Sequence, residues 1–221
     1  MEHVTGKRNK SAAKLPRRTH PEMREKANSK MVAAAIELIA ERGIERFTLA
    51  QVGEKAGYSR GLPGHYYGSK EALLEKVAAD IFKRFFSAAS KSIKDATGLK
   101  IILESAAAYI DAAEVDRTAY GAISVVTSSA LVHQGIRKVI RAVSGNFRKR
   151  LAAHIRKGIE NREIHAKIDP NAQATLIVGR LRGLMAQEVL EPEKVNVKKA
   201  REQLLTSLQG SLGKNYRHAD A

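Results

Sequence analysis

The sequence predicts an all-α protein, and three observations carry that prediction. Aromatic residues make up only 5% of the chain, with no Trp, while Ala and Leu are plentiful; this suits packed helices better than a sandwich or barrel. Apolar residues recur at steps of three and four through most of the 221 residues. No segment alternates with the period of a strand, and helix caps and breakers punctuate the apolar stretches. At 43% apolar the chain is long enough to bury a real core. The architecture expected is an N-terminal three-helix helix-turn-helix unit, a bridging helix, and a larger helical domain.

Residues 1–22 are polar and basic, with Pro16 and Pro21, and read as a flexible basic arm. A first helix is expected over 22–42, where Met31, Ala34, Ala35, Leu38 and Ile39 recur at helical spacing and Gly43 supplies the C-terminal stop. Ile44 and Phe47 follow as plugs beneath the next segment. Thr48 is an N-cap for a short second helix, and Gln51 three residues on completes a capping box. Leu49, Val52 and Ala56 form its apolar face, and Gly57 ends it. Ser59 is the expected N-cap of a short third helix through Tyr66, with Gly61 and Pro63 in its first turn, where a missing N–H costs little.

After Gly68, Ser69 caps a long fourth helix whose first turn carries Glu71, the sign that suits the helix dipole. Leu74, Val77, Ile81 and Phe85 form its core stripe, widened by Leu73 and Phe82. Further helices are expected over 99–114, 116–130 and 132–160. The last of these steps through Ile136, Ile140, Val143, Phe147, Leu151 and Ile155, and Gly145 and Gly158 are expected to bend or interrupt it. Asp169-Pro170 opens a helix to residue 190, and Glu191-Pro192 breaks the chain before a final helix over 195–208. That helix carries Val197, Ala200, Leu204 and Leu208 on one face. Beyond Gly210 a loose tail is expected. The domain division is then arm 1–22, helix-turn-helix domain 23–73, larger helical domain 74–210 and tail 211–221.

The charge narrows the partners. With 39 basic and 23 acidic residues the formal charge is +16, which draws the chain toward polyanions. Nucleic acid is the first candidate and an anionic membrane surface the second; a merely solvated basic surface is the plain alternative. The absence of Cys excludes disulfides, Cys-ligated zinc and thiol catalysis. The seven His are scattered without ligand spacing, so no metal site is expected. No apolar run approaches the roughly 18–20 residues of a membrane span. The basic start (Lys7, Arg8, Lys10, Lys14, Arg17, Arg18) precedes no apolar core of a secretory signal, so the expected location is the cytoplasm. No nucleophile elbow, phosphate loop or paired carboxylates stand at useful spacing, so no enzyme is expected.

Two short helices meeting at Gly57-Tyr58-Ser59 make a helix-turn-helix, whose second helix is narrow enough to enter a major groove. Its leading residues, Ser59, Arg60, Gly61 and Leu62, followed by Gly64 and His65, face the base edges. Arg60 could pair with guanine, with a phosphate or with solvent. His65, Tyr66 and Tyr67 offer imidazole and hydroxyl donors to the phosphate backbone, and Tyr66 could instead be a core tyrosine. Lys70 adds a cation beside the N–H groups of residues 69–71, which can hold a phosphate. Thr48 is a cap whose hydroxyl can also meet a phosphate. Tyr58 packs in the turn or touches the backbone. The arm could reach neighbouring phosphates or remain solvated.

The run Ala34, Leu38, Gly43, Phe47-Thr48, Val52, Ala56-Gly57-Tyr58-Ser59-Arg60-Gly61, then Tyr66-Tyr67-Gly68-Ser69-Lys70-Glu71-Ala72-Leu73, resembles the N-terminal domain of the TetR family of bacterial regulators. The order Asp169-Pro170, Arg182-Gly183-Leu184, Glu191-Pro192 is similar to that family's dimerising end. Three positions depart from it: Gly64 stands where an aromatic is frequent, Pro63 precedes it, and Tyr67 replaces a Phe. The resemblance implies a transcription repressor that reads a palindromic operator in double-stranded DNA as a homodimer, through the helices near 171–190 and 195–208. It also implies a pocket for an unidentified small-molecule effector, and no other cofactor. Tyr109, Arg117, Tyr120 and His133 are the polar groups placed to line such a pocket, each with an ordinary structural role as its alternative. The basic helix over 132–160 is either a solvated face or a further site for anions. A ligand-independent architectural DNA-binding protein is the competing reading.

Overall fold

The computed structural model describes residues 20–91 and 98–214. Among them are nine helices: α1 (His20–Arg42), α2 (Leu49–Lys55), α3 (Leu62–Tyr67), α4 (Lys70–Lys91), α5 (Gly98–Val115), α6 (Arg117–Ser129), α7 (Gln134–Glu160), α8 (Pro170–Leu190) and α9 (Val197–Leu212). The described residues contain no strand; one isolated antiparallel bridge joins Ile164 to Gly213. Most of the basic arm and of the C-terminal tail lie outside the described residues, as does the side chain of Phe85.

The local signals act largely where expected. Gly43 takes φ +76°, and its N–H closes on the Ile39 carbonyl at 2.9 Å. Thr48 Oγ1 accepts from the Gln51 N–H at 3.3 Å while Gln51 Oε1 accepts from the Thr48 N–H at 2.9 Å, the reciprocal capping box. Ser69 Oγ accepts from the Ala72 N–H at 3.1 Å, and Asp169 Oδ1 accepts from the Ala172 N–H ahead of α8.

Three local expectations are corrected. Ser59 does not cap α3. Its backbone carbonyl, not its hydroxyl, accepts from the Leu62 N–H at 3.1 Å, so residues 59–61 form a turn and Gly61 becomes the N-cap. The expected interruption of α7 is absent, the helix continuing past Gly145 to Glu160. Gly158 serves close packing there, since a Cβ on it would lie 2.6 Å from Ile164 Cδ1 and 3.1 Å from Gly98 Cα. α9 continues past Gly210 to Leu212, because Leu208 and Leu212 are both fully buried and the Leu212 carbonyl accepts from the His165 N–H at 3.0 Å. Burial of one more turn outweighs the roughly 1 kcal/mol by which Gly disfavours a helix interior.

One contiguous core runs from Ala27 in α1 to Leu212 in α9. Within the helix-turn-helix it is built from Met31, Leu38 and Ile39 of α1, Phe47, Val52 of α2, and Leu73 and Val77 of α4. α4 packs on α5, α5 on α7, and α7 on α8, which makes the larger helical domain. α6 packs against α1 as well as against α7 and α8. It is therefore an element shared by the helix-turn-helix and the larger domain.

Candidate nucleic-acid interface and helical cavity

The helix-turn-helix is held by a close helix contact. Gly53, buried in α2, faces the turn so tightly that a Cβ there would lie 2.5 Å from the Ser59 carbonyl oxygen and 3.1 Å from Pro63 Cδ. The turn itself depends on Gly57 at φ +76°, after which the Tyr58 N–H returns to the Gly53 carbonyl at 2.8 Å. Around this frame the side chains separate by role. Ser59, Arg60, Gly61 and His65 are exposed, while Leu62, Gly64 and Tyr66 are half-buried. Arg60 Nε lies 3.1 Å from Glu54 Oε1 on the preceding helix, an exposed pair that an incoming phosphate or base can displace.

Tyr58, Leu62, His65 and Tyr66 share one open cleft with Pro21, Met23 and Arg24 at the start of α1. The Arg24 guanidinium lies 5.6 Å from the Tyr66 ring centre, and Lys30 Nζ 5.8 Å from that of Tyr58. These two cations were not among the sequence candidates. Arg24 continues the stripe of Ala27 and Met31 by helical spacing, but only the fold sets α1 beside α3. Tyr67 points inward instead: its hydroxyl donates to Asn28 Oδ1 at 2.8 Å, and burial, then the neighbouring Tyr66 and Asp80, pushes its pKa up to about 12. Lys70 Nζ lies 4.5 Å from the Phe47 ring centre and donates to the Glu45 carbonyl at 3.3 Å. Its ammonium thus stands over the buried Phe47 ring at the α4 N-terminus. Thr48 is exposed with its hydroxyl in the capping box.

A second feature lies in the larger domain. Tyr109 and Tyr120 meet edge to face, ring centres 6.2 Å apart, on one wall of a cavity of about 130 Å3 between α4, α5, α6 and α8. Phe82 and Ile123 add apolar wall; Ser124, Thr127 and Ser128 of α6 and Arg182 of α8 add polar groups. The Tyr120 hydroxyl donates to the Arg182 carbonyl at 3.0 Å, and burial raises its pKa. Burial, with Tyr120 second, holds the Tyr109 hydroxyl well above the usual tyrosine range, so both rings are neutral donors at physiological pH.

The other two candidates for this pocket lie elsewhere. Arg117, in the first turn of α6, is exposed and pairs with Glu188 of α8, a carboxylate only 1% exposed. His133 is the exposed N-cap residue of α7, with its Nε2 3.0 Å from Glu45 Oε1 in the turn between α1 and α2. Arg182 was missed as a pocket residue. Its signal is a charge beside the apolar positions Val178, Leu181 and Met185 of α8, which sequence spacing alone cannot aim into a cavity. No group of His, Asp or Glu among the described residues is arranged to hold a metal ion.

The family profile described as "Bacterial regulatory proteins, tetR family" matches residues 31–77, and that described as "BetI-type transcriptional repressor, C-terminal" matches residues 103–213. The HTH-type transcriptional regulator BetI 1 of Chromohalobacter salexigens is 24% identical over 195 residues, covering 86% of this chain and 92% of that protein. A TetR-family transcriptional regulator from Rhodococcus sp. has a similar fold, with a TM-score of 0.75 at 21% identity over 83% of this chain and 97% of that one. A transcriptional regulator from Saccharomonospora viridis, solved in complex with choline, gives 0.71 at 16% identity over 86% and 98%.

Proposed function

This chain belongs to the TetR family of bacterial regulatory proteins and is a DNA-binding transcriptional regulator, and from that premise we propose that it is a ligand-responsive repressor acting as a homodimer on a palindromic operator. The observation that carries the reading is the position of α6. It walls the Tyr109–Tyr120 cavity on one side and packs on α1 of the helix-turn-helix on the other. A ligand that favours one setting of α6 would favour one setting of the reading head, a population shift. In a dimer that shift alters the separation of two α3 helices, which must stand about one DNA turn apart, roughly 34–36 Å.

In this reading residues 23–73 form the DNA-binding domain and 74–210 the ligand-binding and dimerising domain. Ser59, Arg60, Gly61, Leu62, Gly64 and His65 meet base edges, while Thr48, Tyr58, Tyr66 and Lys70 meet phosphates and set the register. Arg24 and Lys30 join the second group. Dimerisation through α8 and α9 is supported by an exposed stripe at helical spacing on α8, in which Leu176 and Leu190 flank Gly179 and Gly183. Two copies could bury it with backbones in close approach. Among the described residues no helix is long and apolar enough to cross a membrane, and the site of action proposed is the cytoplasm. The architectural alternative is not favoured, because it gives no role to a cavity coupled to the reading head.

Footprinting on genomic fragments at two salt concentrations tests the reading. The expected result is a protected palindrome in the wild type, weakened in Tyr66→Ala and Lys70→Ala. Uniform, salt-sensitive coverage with no protected site would return the architectural protein.

A further inference from the structure

The cavity's own chemistry narrows its ligand, an inference that rests on the ligand-responsive reading above. We propose that it binds a small organic carboxylate of the kind of benzoate or hexanoate, held through its carboxylate by Arg182.

The charge argument comes first. Arg182 is half-buried, and its contacts are neutral: Nη2 donates to Ser144 Oγ at 2.8 Å, and the guanidinium lies 5.7 Å from the Phe82 ring centre. It also reaches the Tyr109 hydroxyl. Among the described residues no carboxylate stands within ion-pair distance of it, and no acid lines the cavity. The buried acid of the same helix, Glu188, is engaged by Arg117. A guanidinium partly withdrawn from water without a counter-charge loses solvation, and an anion restores what burial removes. Its planar fork of five N–H groups keeps donors beyond those given to Ser144 and Tyr109, in the geometry that takes a carboxylate side-on.

Size and lining fix the rest. The pocket is partly open to solvent, and its volume of about 130 Å3 is comparable to the roughly 150 Å3 of a closed cavity that holds benzene, so one small ring or short chain fills it. Phe82, Ile123 and the two tyrosine rings favour an apolar body, and the hydroxyls of Ser124 and Thr127 can complete the carboxylate's hydrogen bonds. The same guanidinium repels a quaternary ammonium ion, which would find no acid here to face.

The test is calorimetric titration of the full chain with sodium benzoate and sodium hexanoate, with benzyl alcohol and choline chloride as neutral and cationic counterparts. The acids are expected to bind at least tenfold more tightly than benzyl alcohol, and choline not at all. Arg182→Gln should lose at least tenfold toward benzoate and bind it no better than the alcohol, with thermal melting to establish that it folds. Should it not fold, Ala186→Leu, which fills the cavity from α8 and keeps the arginine, must abolish acid binding. Binding of choline or benzyl alcohol as tight as that of the acids overturns the proposal, as does failure of both acids to bind. Footprints run in parallel separate the two levels. Acid binding that leaves the footprint unchanged keeps the proposal and removes the ligand-responsive reading. A footprint that responds to choline alone keeps that reading and removes the carboxylate.

Discussion

His133 Nε2 lies 3.0 Å from Glu45 Oε1, joining the turn before α7 to the turn between α1 and α2. The same turn is gripped from the other side, where Lys70 Nζ donates to the Glu45 carbonyl. Glu45 is therefore a junction at which the larger helical domain, through His133, and the bridging helix, through Lys70, both touch the reading head.

This junction positions more than it stabilises. An exposed side-chain contact of this kind contributes at most about 1 kcal/mol even where it is charged, so His133→Ala should leave the melting temperature nearly unchanged. Loosening the contact lets the reading head sample more orientations, so operator affinity should fall severalfold. Melting and footprint titration on one preparation check both; unchanged affinity would remove the contact from the coupling path.

Two glycines of the helix-turn-helix should behave oppositely. Gly53→Ala places a methyl 2.5 Å from the Ser59 oxygen, a backbone atom that cannot swing aside. It should destabilise the unit by about 1–3 kcal/mol, the usual cost of overpacking, and weaken DNA binding at least tenfold. Gly64→Ala meets nothing within 4 Å and should stabilise α3 by roughly 0.5–1 kcal/mol through reduced chain entropy. If Gly64 faces base edges as proposed, this more stable variant should still show altered operator preference, which a selection on randomised half-sites would read.

Salt dependence separates phosphate binding from structure. If Lys70 meets one phosphate per protomer, Lys70→Met should reduce the slope of log K against log salt by about 0.9 per phosphate no longer neutralised. Methionine keeps an apolar side chain beside Phe47 and loses the ammonium's contact with the ring, so stability should fall by no more than about 1 kcal/mol. A weaker complex with an unchanged slope would assign Lys70 to holding the Glu45 carbonyl.

Glu188 and Arg117 should respond asymmetrically. The Glu188 carboxylate is buried and, apart from its ion partner Arg117, has no hydrogen-bond partner among the described residues. Arg117→Ala strands that charge and should cost about 3 kcal/mol, the lower end for a broken buried pair because the arginine is exposed. Arg117→Ala combined with Glu188→Gln should recover much of the loss, which denaturant titration of the single and double variants would measure.

His154 adds a pH dependence of known sign. Burial, then the nearby Arg150, lowers its pKa below the ordinary 6.5. As pH falls through 6.5 the unfolded chain takes up a proton before the folded one, so the folded state loses stability in that window. Above it both forms are neutral and the residue contributes nothing. His154→Asn should flatten the stability profile below pH 6.5 in melts across that range.

The short-range half of the site was readable because it obeys local rules. Thr48 with Gln51, Gly43 and Gly57 encode caps and left-handed turns within three or four residues of themselves, and the stripes of α1 and α4 follow from periodicity. Ser59 misled because two local signals competed: a good cap residue stood where Gly61 and Pro63 favour a turn, and its carbonyl took the N–H its hydroxyl was expected to take. Arg24 carries no such local signal, because its value comes from Tyr66, a residue of another helix.

The sequence by itself determined the all-α class, the order of the helices, the helix-turn-helix and the resemblance that placed it, since each is written in spacing along one segment. Only the tertiary structure decided that Arg182 meets Tyr109 and Tyr120, that Arg117 belongs to Glu188, and that His133 reaches Glu45. A periodicity states which face of a helix is buried, not which other face it is buried against. A cavity is the space left between such faces, so its lining and its charge exist only once the helices are packed.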